Sequence, residues 1–450
     1  MPLDRRVVLS AGLGAGLAAA ANAGPRQRAG EIEGAASAAE LGLVPGAEHD
    51  QTAPLQAAID AAAKRGAPLL LPPGRFRIGA LQLPGGARLI GTARATTLIF
   101  IGGSQFLTSE GAGDIVVDGL VLDGAYRALD GVDALLSLTN CRNVTLRGLE
   151  VTRSAANGIA LTQCSGSLSD CTVTAAMETG IRSLDAAGLD ILHNRVADCG
   201  NNGIQVWRSD AGEDASLVAN NRVERIRADG GGTGQNGNGI NVFRAAGVLV
   251  TGNRIADCAY SAIRGNAASD IQMIANSCAR LGEVALYAEF GFEGALIANN
   301  LVDTAATGIS VTNFNDGGRL AIVQGNLVRN LFRREEEPED KRGDGITVEA
   351  DTAVIGNVIE AAPNAGLVIG WGRHMREVVA SGNVIRKSRV GILVSADPGA
   401  GACLLANNMI SGASDGGIRA MDSGGLPTGP DLAHGDSGDK RLSVVGNVAV

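Results

Sequence analysis

The sequence predicts an all-β protein: a right-handed parallel β-helix of about 23 residues per coil with a capping helix at its N-terminal end. Three observations lead to this fold. A Gly-Ile phrase recurs through most of the chain, a phrase beginning with Asn recurs between its copies, and neither shows a helical period. Short strands that turn in one direction at a fixed period stack into a solenoid, in which each coil covers the last.

The Gly-Ile phrase marks one strand of each coil. It appears as "GIAL" at 158, "GIRS" at 180, "GIQV" at 203, "GINV" at 239, "GISV" at 308, "GITV" at 345 and "GILV" at 391, with relatives between them. Within each copy, aliphatic residues alternate with variable ones, which is typical of a strand with one buried face. A leucine-rich repeat has a similar period, but its Leu-rich phrase is missing here.

The Asn phrase marks a turn. Copies such as "NRV" at 194 and 221, "NLV" at 300 and 326, and "NVI" at 357 and 383 follow the same spacing. Asparagine tolerates the left-handed backbone region and also forms side-chain ladders when it stacks on itself. We therefore expect an asparagine ladder, or left-handed asparagines, at one corner of the solenoid.

The first coil has its own signals. Thr52 is a candidate helix cap, apolar positions follow at 55, 58, 59 and 62, and Gly66 is a candidate helix end. The pattern predicts a helix near residues 52–65. The "LLLPPG" stretch that follows is typical of a strand that ends in a turn. A helix here would cover the open edge of the first coil. The β-helix domain is predicted to span residues 50–450.

The N-terminus predicts an export signal. Arg5 and Arg6 precede a short, weakly hydrophobic stretch rich in Gly and Ala, and "ANA" at 21–23 offers small residues to a signal peptidase. This pattern resembles a twin-arginine signal peptide over residues 1–23, with a linker over 24–49. It implies the twin-arginine export machinery and signal peptidase as partners, and a periplasmic or secreted protein. No stretch is long and apolar enough for an integral membrane protein.

Composition limits the other function classes. The net charge of −9 and the pI near 5.1 argue against broad nucleic-acid binding, which needs a basic surface. The seven Cys are an odd number with no CxxC pair, and the four His are scattered, so we predict no structural zinc site. Cys199 and Cys258, in "NRVADC" and "NRIADC", are interpreted as small core residues.

The opening of the domain resembles that of pectate-lyase-like proteins. The shared features are Asp-x-Thr at 50–52, Leu-Gln-x-Ala-Ile-Asp at 55–60 and Pro-x-Gly-x-aromatic at 72–76. With the twin arginines, the chain resembles the twin-arginine-translocated repeat proteins of the pectate-lyase-like superfamily over essentially its full length. The resemblance implies the fold and a carbohydrate ligand, and it raises the possibility of Ca²⁺, but it carries no established activity. No cofactor or metal ligand is assigned from the residues themselves.

Two outward-facing columns of side chains supply the candidate site. The third residue of each Gly-Ile phrase and the fifth should face outward and stack across coils. The central part of these columns is rich in polar and aromatic residues. The third-position candidates are Arg182, Gln205, Asn241, Arg264 and Tyr287; the fifth-position candidates are Trp207, Phe243, Asn266, Glu289, Thr312 and Glu349.

Two insertions border this strip. From the Asn phrase to the next Gly-Ile phrase the spacing is usually 8 or 9 residues, but it is 18 after Asn221 and 19 after Asn326. Both enter the same edge of the same sheet. They are interpreted either as walls of a groove, because function concentrates in loops on rigid scaffolds, or as tolerated surface insertions.

The candidate residues allow three functions. For a polysaccharide lyase acting on a uronate-containing glycan, Arg264 would neutralise the carboxylate and Tyr287 would act as acid or base. For a glycoside hydrolase, Glu289 and Glu349 would form an inverting pair two coils apart. For a non-catalytic polysaccharide-binding or interaction module, Trp207, Phe243 and Tyr287 would stack on sugar rings. The chain lacks the clustered acidic calcium ligands of pectate lyases.

Overall fold

The structure is a computed structural model that describes residues 35–39, 42–232, 234–312, 318–335, 343–434 and 438–450. Arg5, Arg6 and the predicted signal at 1–23 lie outside these residues. Among the described residues, no helix is long and apolar enough to cross a bilayer.

Three parallel sheets form the walls of a right-handed β-helix, which confirms the predicted fold. We name them sheets A, B and C in the order in which each coil visits them. Sheet A contains strands Ala36–Ser37, Leu69–Leu70, Arg88–Ile90, Val116–Asp118, Val144–Arg147, Gly166–Ser169, Leu189–Leu192, Leu217–Ala219, Leu249–Thr251, Ile271–Ile274, Glu293–Ala298, Arg319–Gln324, Thr352–Ile355, Val378–Ser381, Cys403–Ala406 and Leu442–Val445.

Sheet B joins sheet A across a tight turn. It contains strands Gly74–Ile78, Thr96–Phe100, Val121–Asp123, Glu150–Thr152, Thr172–Thr174, Arg195–Ala197, Arg222–Ile226, Arg254–Cys258, Ser277–Leu281, Leu301–Asp303, Leu327–Arg329, Val358–Glu360, Val384–Arg386, Met409–Ser411 and Val448–Ala449.

Sheet C carries the Gly-Ile phrases. It contains strands Leu81–Gln82, Leu107–Glu110, Ala134–Thr139, Asn157–Thr162, Thr179–Leu184, Asn202–Glu213, Asn238–Ala246, Ile263–Asn266, Val284–Glu289, Thr307–Thr312, Asp344–Val348, Ala365–Ile369, Val390–Ser395, Ile418–Met421 and Pro427–Asp431. A short 3-10 helix, Gly372–His374, follows one of these strands.

The Gly-Ile phrase repeats because each of its two residues has a packing role. The Ile side chains point inward and stack through the buried core, as Ile181, Ile204 and Ile240 do. At Gly203 a Cβ atom would meet the carbonyl oxygen of Gly239 on the next coil and the Val223 side chain. Glycine allows this close approach of the coils at Gly203, and the small Ala262 and Ala285 occupy the same position in two later coils.

The asparagine ladder lies at the corner between sheets A and B, as predicted. Asn326, for example, donates from its backbone N and from Nδ2 to Oδ1 of Asn357 at 3.0 and 2.9 Å. Its own Oδ1 accepts the same pair of bonds from Asn300. The left-handed residue is the one before the ladder position, such as Asn299 with φ 57°. The ladder satisfies backbone groups that this buried turn would otherwise leave unpaired.

The capping helix is confirmed at the predicted place, but Thr52 is not its cap. Helix α1 spans Thr52–Lys64 and buries the four predicted apolar positions against the first coil. Thr52 is the first helical residue and does not act as the cap, because Oδ1 of Asp50 accepts its backbone N–H at 2.8 Å. Gly66, with φ 65°, ends the helix as predicted. Within the predicted linker, 24–49, the strand Ala36–Ser37 pairs with Leu69–Leu70 and so belongs to sheet A.

The last coil of sheet C has a cap that the sequence did not reveal. Strand Pro427–Asp431 folds back and pairs antiparallel with Ile418–Met421. The Asp431 carboxylate accepts the backbone N–H groups of Gly417 and Ile418 at 2.6 and 3.0 Å. This hairpin covers the edge of sheet C, which would otherwise be open. All seven Cys are free and buried, which confirms Cys199 and Cys258 as core residues.

Candidate functional site

The predicted columns exist in the structure with the predicted register. Arg182, Gln205, Asn241, Arg264 and Tyr287 pair in succession on sheet C. Trp207, Phe243, Asn266, Glu289 and Thr312 do the same two residues further along. The register follows from the near-constant coil length, since each Gly-Ile phrase is placed directly above the previous one.

Three aromatic rings line a cavity of about 270 Å³ over these columns. Trp207 and Phe243 lie edge to face, with ring centroids 5.7 Å apart. The third ring is Phe290, which the sequence reasoning missed; it is exposed and directly follows the predicted Glu289. Its φ of 61° is unusual for a bulky side chain, and the sequence signal that could have identified it was an aromatic residue directly after a predicted column position.

The polar floor of the cavity comes from Asn241, Arg264 and Asn266. Oδ1 of Asn241 accepts a hydrogen bond from Trp207 Nε1 at 3.3 Å, which fixes the indole. We call the cavity formed by these three residues, the three aromatic rings, Gly234 and Gln235 the aromatic pocket. Five of its eight residues were predicted from the sequence.

The first insertion forms one wall of the aromatic pocket. Its Gly234 and Gln235 carbonyls accept hydrogen bonds from the buried Asn238 and Asn202 side chains at 2.8 and 2.9 Å. Asn241 Nδ2 donates to the Gln235 carbonyl at 3.3 Å. These bonds hold the described part of the loop against sheet C, so the insertion acts as a groove wall in the structure.

A buried ion pair lies beneath the pocket. Arg264 Nε donates to Glu289 Oε1 at 2.6 Å, and both side chains are almost fully excluded from water. Asn266 Nδ2 donates to the same oxygen at 2.8 Å. The guanidinium also lies 5.0 Å from the Tyr287 ring centroid, in a cation-π contact. Arg264 is therefore held in place by a carboxylate of this chain.

A second carboxylate connects Arg264 to the other insertion. Glu283 Oε2 lies 3.8 Å from Arg264 Nη1, and Oε1 accepts a hydrogen bond from Arg334 Nη1 at 3.3 Å. Arg334 belongs to the second insertion and stacks 5.3 Å from the Tyr260 ring. Tyr260 in turn donates to the carbonyl of Gly232 in the first insertion. Tyr260 thus connects the two predicted loops beside the pocket.

Tyr287 lies under this network and is largely buried. Burial raises the pKa of its phenol, and the nearby Glu289 charge raises the pKa further, while Arg264 lowers it. The neutral phenol is the form that this environment favours. Tyr287 is therefore suited to donating a hydrogen bond or a proton, and it is poorly suited to acting as a base near neutral pH.

The remaining candidates lie outside the pocket lining. Thr312 shares a 2.9 Å hydrogen bond with Ser310, and Gln205 is buried in its column. Arg182 pairs with Asp133, and its side chain is one quarter exposed. Glu349 is buried and directly follows strand Asp344–Val348, two coils beyond Glu289.

Comparison with known families gives the chain its classification. The family described as the right-handed β-helix region matches residues 134–313 and 212–376, which together cover more than half of the chain. The chain belongs to the right-handed β-helix family. No curated protein matches it.

Several solved structures are similar to this β-helix at low identity. Gene product 12 of bacteriophage phi29 is 17% identical with a TM-score of 0.49; the match covers 92% of this chain and 56% of that one. The mannuronan C-5 epimerase AlgE4 A-module of Azotobacter vinelandii is 17% identical with a TM-score of 0.42, covering 91% and 99%. The catalytic unit of a GH87 α-1,3-glucanase from Streptomyces thermodiastaticus is 15% identical with a TM-score of 0.46, covering 93% and 69%.

The described residues do not suit Ca²⁺, which the sequence resemblance had raised. Calcium prefers six to eight oxygen ligands with several carboxylates. Within the described part of this β-helix, no group of three or more His, Cys, Asp or Glu side chains is arranged to hold a metal. Near the pocket, Glu289 and Glu283 are engaged by Arg264 and Arg334.

Proposed function

We propose that this β-helix binds a carbohydrate chain and holds one neutral sugar unit in the aromatic pocket. The observation that carries the proposal is the combination of three rings, Trp207, Phe243 and Phe290, with a floor of amide side chains. Sugar rings present apolar C–H faces and a rim of hydroxyl groups. Aromatic rings pack against the apolar C–H faces of a sugar, and amide side chains form hydrogen bonds with its hydroxyl groups.

The size of the pocket supports a single sugar unit. Ligand pockets for drug-sized molecules occupy about 300–1,000 Å³, and this cavity of about 270 Å³ lies just below that range. A longer glycan would therefore place one unit in the pocket and the rest along sheet C, between the two insertions.

The charges favour a neutral unit over a uronate. Among the described residues that line the pocket, Arg264 is the one that carries a charge, and Glu289 at 2.6 Å already neutralises it in a buried pair. Glu283 at 3.8 Å adds a second negative charge. A uronate carboxylate would have to compete with these groups in a region of low dielectric, where an uncompensated charge is costly.

Binding without catalysis is the function that this geometry supports best. In the lyase hypothesis Arg264 would neutralise a uronate, yet its charge is committed to Glu289. In the hydrolase hypothesis Glu289 would be a free carboxyl group, yet it accepts bonds from Arg264 and Asn266. Both activities stay predictions, and one panel of polysaccharides tests them through unsaturated uronates and new reducing ends.

The chain offers a direct reporter for the proposed site. It has two Trp residues, so Trp371→Phe leaves Trp207 as the sole indole. We expect neutral oligosaccharides to change its fluorescence saturably, and uronate oligosaccharides to bind more weakly. Tighter binding of uronates would contradict the neutral-sugar proposal. Binding that leaves the Trp207 emission unchanged would contradict the location.

Truncation of the rings then tests the energetics by calorimetry. Trp207→Ala and Phe243→Ala should each weaken binding by at least about 10-fold, because stacked aromatic residues dominate such contacts. Tyr126→Ala is the matched control, since Tyr126 is an exposed ring on a distant coil. Equal losses in the control and the pocket variants would contradict the assignment.

A further inference from the structure

We propose that this β-helix self-associates through an aliphatic face on the outside of its C-terminal coils. The face has one column on sheet A and one on sheet B, and five consecutive coils contribute to both. The sheet A column is Leu296, Ile322, Ala353, Val379 and Leu404. The sheet B column is Leu301, Leu327, Val358, Val384 and Met409.

These side chains point away from the core. In each strand the residues on either side of a column position, such as Val323 beside Ile322 and Ile359 beside Val358, are fully buried. Ile322, Val358, Val379 and Met409 are exposed, and the other six positions are half-buried. Within the described residues, no other element covers these two aliphatic columns.

The N-terminal coils show that the β-helix fold does not require aliphatic residues at these outward positions. In the same two columns, earlier coils place Thr145, Ser167 and Asp190 on sheet A. On sheet B they place Glu150, Thr172, Arg195, Arg222 and Arg254. On sheet B the same outward positions are therefore polar in these coils and aliphatic in the C-terminal coils, while on sheet A Leu217 and Leu249 precede the polar Gln272. Only the C-terminal coils are aliphatic on both sheets, which indicates a surface that meets a partner.

The turn between the columns carries a glycine in three of the five coils. Gly325, Gly356 and Gly382 occupy the turn position that precedes the ladder asparagine, with φ between 62° and 67°, and Asn299 and Asn407 occupy it in the other two coils. Glycine adds no side chain at this left-handed position, so in the three middle coils only the residues just before it, Gln324, Ile355 and Ser381, lie between the two columns. A second copy of the chain presents the same two columns, with the same spacing of about 4.8 Å between coils. The side chains of the two faces can therefore interlock along their length.

The charges at the rim favour a second copy over an anionic membrane. Next to the sheet B column, Arg329 pairs with Asp303 at 2.8 Å and Arg386 lies 3.5 Å from Glu360. The rim is thus balanced in sign, whereas a face that binds anionic lipid is bordered by an excess of Lys and Arg. Another copy carries the same alternating charges and can match them.

The area sets the strength of the contact. Five coils at about 4.8 Å and five residues at about 3.3 Å give a face on the order of 400 Å². On sheet A the exposed Gln272 ends the column before Leu249 and Leu217, and on sheet B Val448 adds one position, so the face stays on the order of 400 Å². Stable dimers bury about 800 Å² per partner, and we therefore expect a reversible dimer in the micromolar range.

Sedimentation of the full chain over a range of concentrations tests the proposal. We expect the mass to rise from the monomer value of 45.6 kDa toward twice that value. The variant Ile322→Lys with Val358→Lys should weaken dimerisation at least about 100-fold, because it buries like charges in the contact. Thr145→Lys with Thr172→Lys adds the same charge at the equivalent outward positions of earlier coils and should leave dimerisation unchanged.

The result that overturns the inference is equally clear. A chain that stays monomeric to about 100 μM, well above a micromolar dissociation constant, has no such dimer. Monomeric protein that binds vesicles of anionic or neutral lipid would assign the face to a membrane surface instead. A dimer that the Ile322/Val358 variant retains, with unchanged circular dichroism, would place the contact elsewhere.

Discussion

Glu289→Gln removes the negative charge from the buried pair beneath the aromatic pocket. The wild-type pair joins Arg264 Nε to Glu289 Oε1 at 2.6 Å, and the two side chains are only 9% and 3% exposed. After the substitution, Arg264 keeps Glu283, at 3.8 Å, as the nearest carboxylate in this network. A positive charge that was compensated by direct contact becomes partly uncompensated in a site that excludes water.

The burial of the Arg264–Glu289 pair sets the size of the expected loss in the free energy of unfolding. Removing one partner of a buried ion pair costs about 3–5 kcal/mol, because the remaining charge is left without compensation. Glutamine preserves the shape of the side chain and still offers one oxygen to Arg264, and Glu283 retains part of the attraction. We therefore expect the free energy of unfolding to fall by about 2–4 kcal/mol.

The chain provides a matched control for this effect. Arg280 Nε and Asp257 Oδ1 are also 2.6 Å apart and also join neighbouring coils, but their side chains are 60% and 39% exposed. Asp257→Asn should cost less than about 1 kcal/mol, because water screens the pair and solvates the remaining charge. The two substitutions thus differ mainly in burial.

Urea unfolding followed by circular dichroism measures both effects. The Trp207 fluorescence of the Trp371→Phe background reports on the coils near the pocket, since a solenoid can lose coils locally before it unfolds throughout. If Glu289→Gln costs no more than Asp257→Asn, the reasoning from burial is refuted. A loss below about 0.5 kcal/mol for Glu289→Gln would have the same meaning, because surface substitutions give changes of that size.

Two further predictions concern the solenoid itself. Asn326→Ala should lower the free energy of unfolding by about 2–4 kcal/mol, because it leaves the buried amide groups of Asn300 without their acceptor. The control in the same unfolding experiment is Asn299→Gly, which changes an exposed residue and keeps the left-handed backbone. Equal losses in the two variants would contradict the role of the ladder. Hydrogen bonds from Arg225 and Arg280 lower the pKa of Asp198 and Asp257 in the folded state. The two ion pairs therefore stabilise the protein fully at pH values above the unfolded pKa of about 3.9. This stabilisation is lost as the pH falls through the lower pKa of the folded state. The Asp198→Asn, Asp257→Asn double variant should therefore lose less stability than the wild type between pH 7 and pH 2.5, by under about 2 kcal/mol since both pairs are exposed; a wild-type slope in the variant would show that the pairs contribute nothing.

Much of the fold could be predicted because the solenoid is periodic. Once the Gly-Ile and Asn phrases fix the length of a coil, every residue acquires a known sheet, face and neighbour. Trp207, Phe243, Asn241, Asn266 and Arg264 were placed in one strip on this basis and line one pocket in the structure. The two insertions stood out for the same reason, since each breaks an otherwise regular spacing.

The non-periodic parts were not predictable in the same way. The antiparallel hairpin that covers the last strand of sheet C occurs once, so no repeat announces it. Helix α1 starts at Thr52 because Asp50 provides the acceptor for its N–H, a choice between neighbouring residues that the pattern leaves open. Phe290 was passed over because it lies just past the column, at a turn position.

The sequence by itself determined the architecture, the register of the columns and the strip that lines the aromatic pocket, because these follow from local spacing and hydrophobic alternation. Only the tertiary structure decided that Arg264 is neutralised by Glu289, that Tyr260 connects the two insertions beside the pocket, and that the C-terminal aliphatic columns remain open to solvent. The physical reason is that charge compensation and exposure depend on which side chains and loops come together in space. Contacts of that kind are set by the packing of distant segments, and periodicity along the chain does not encode them.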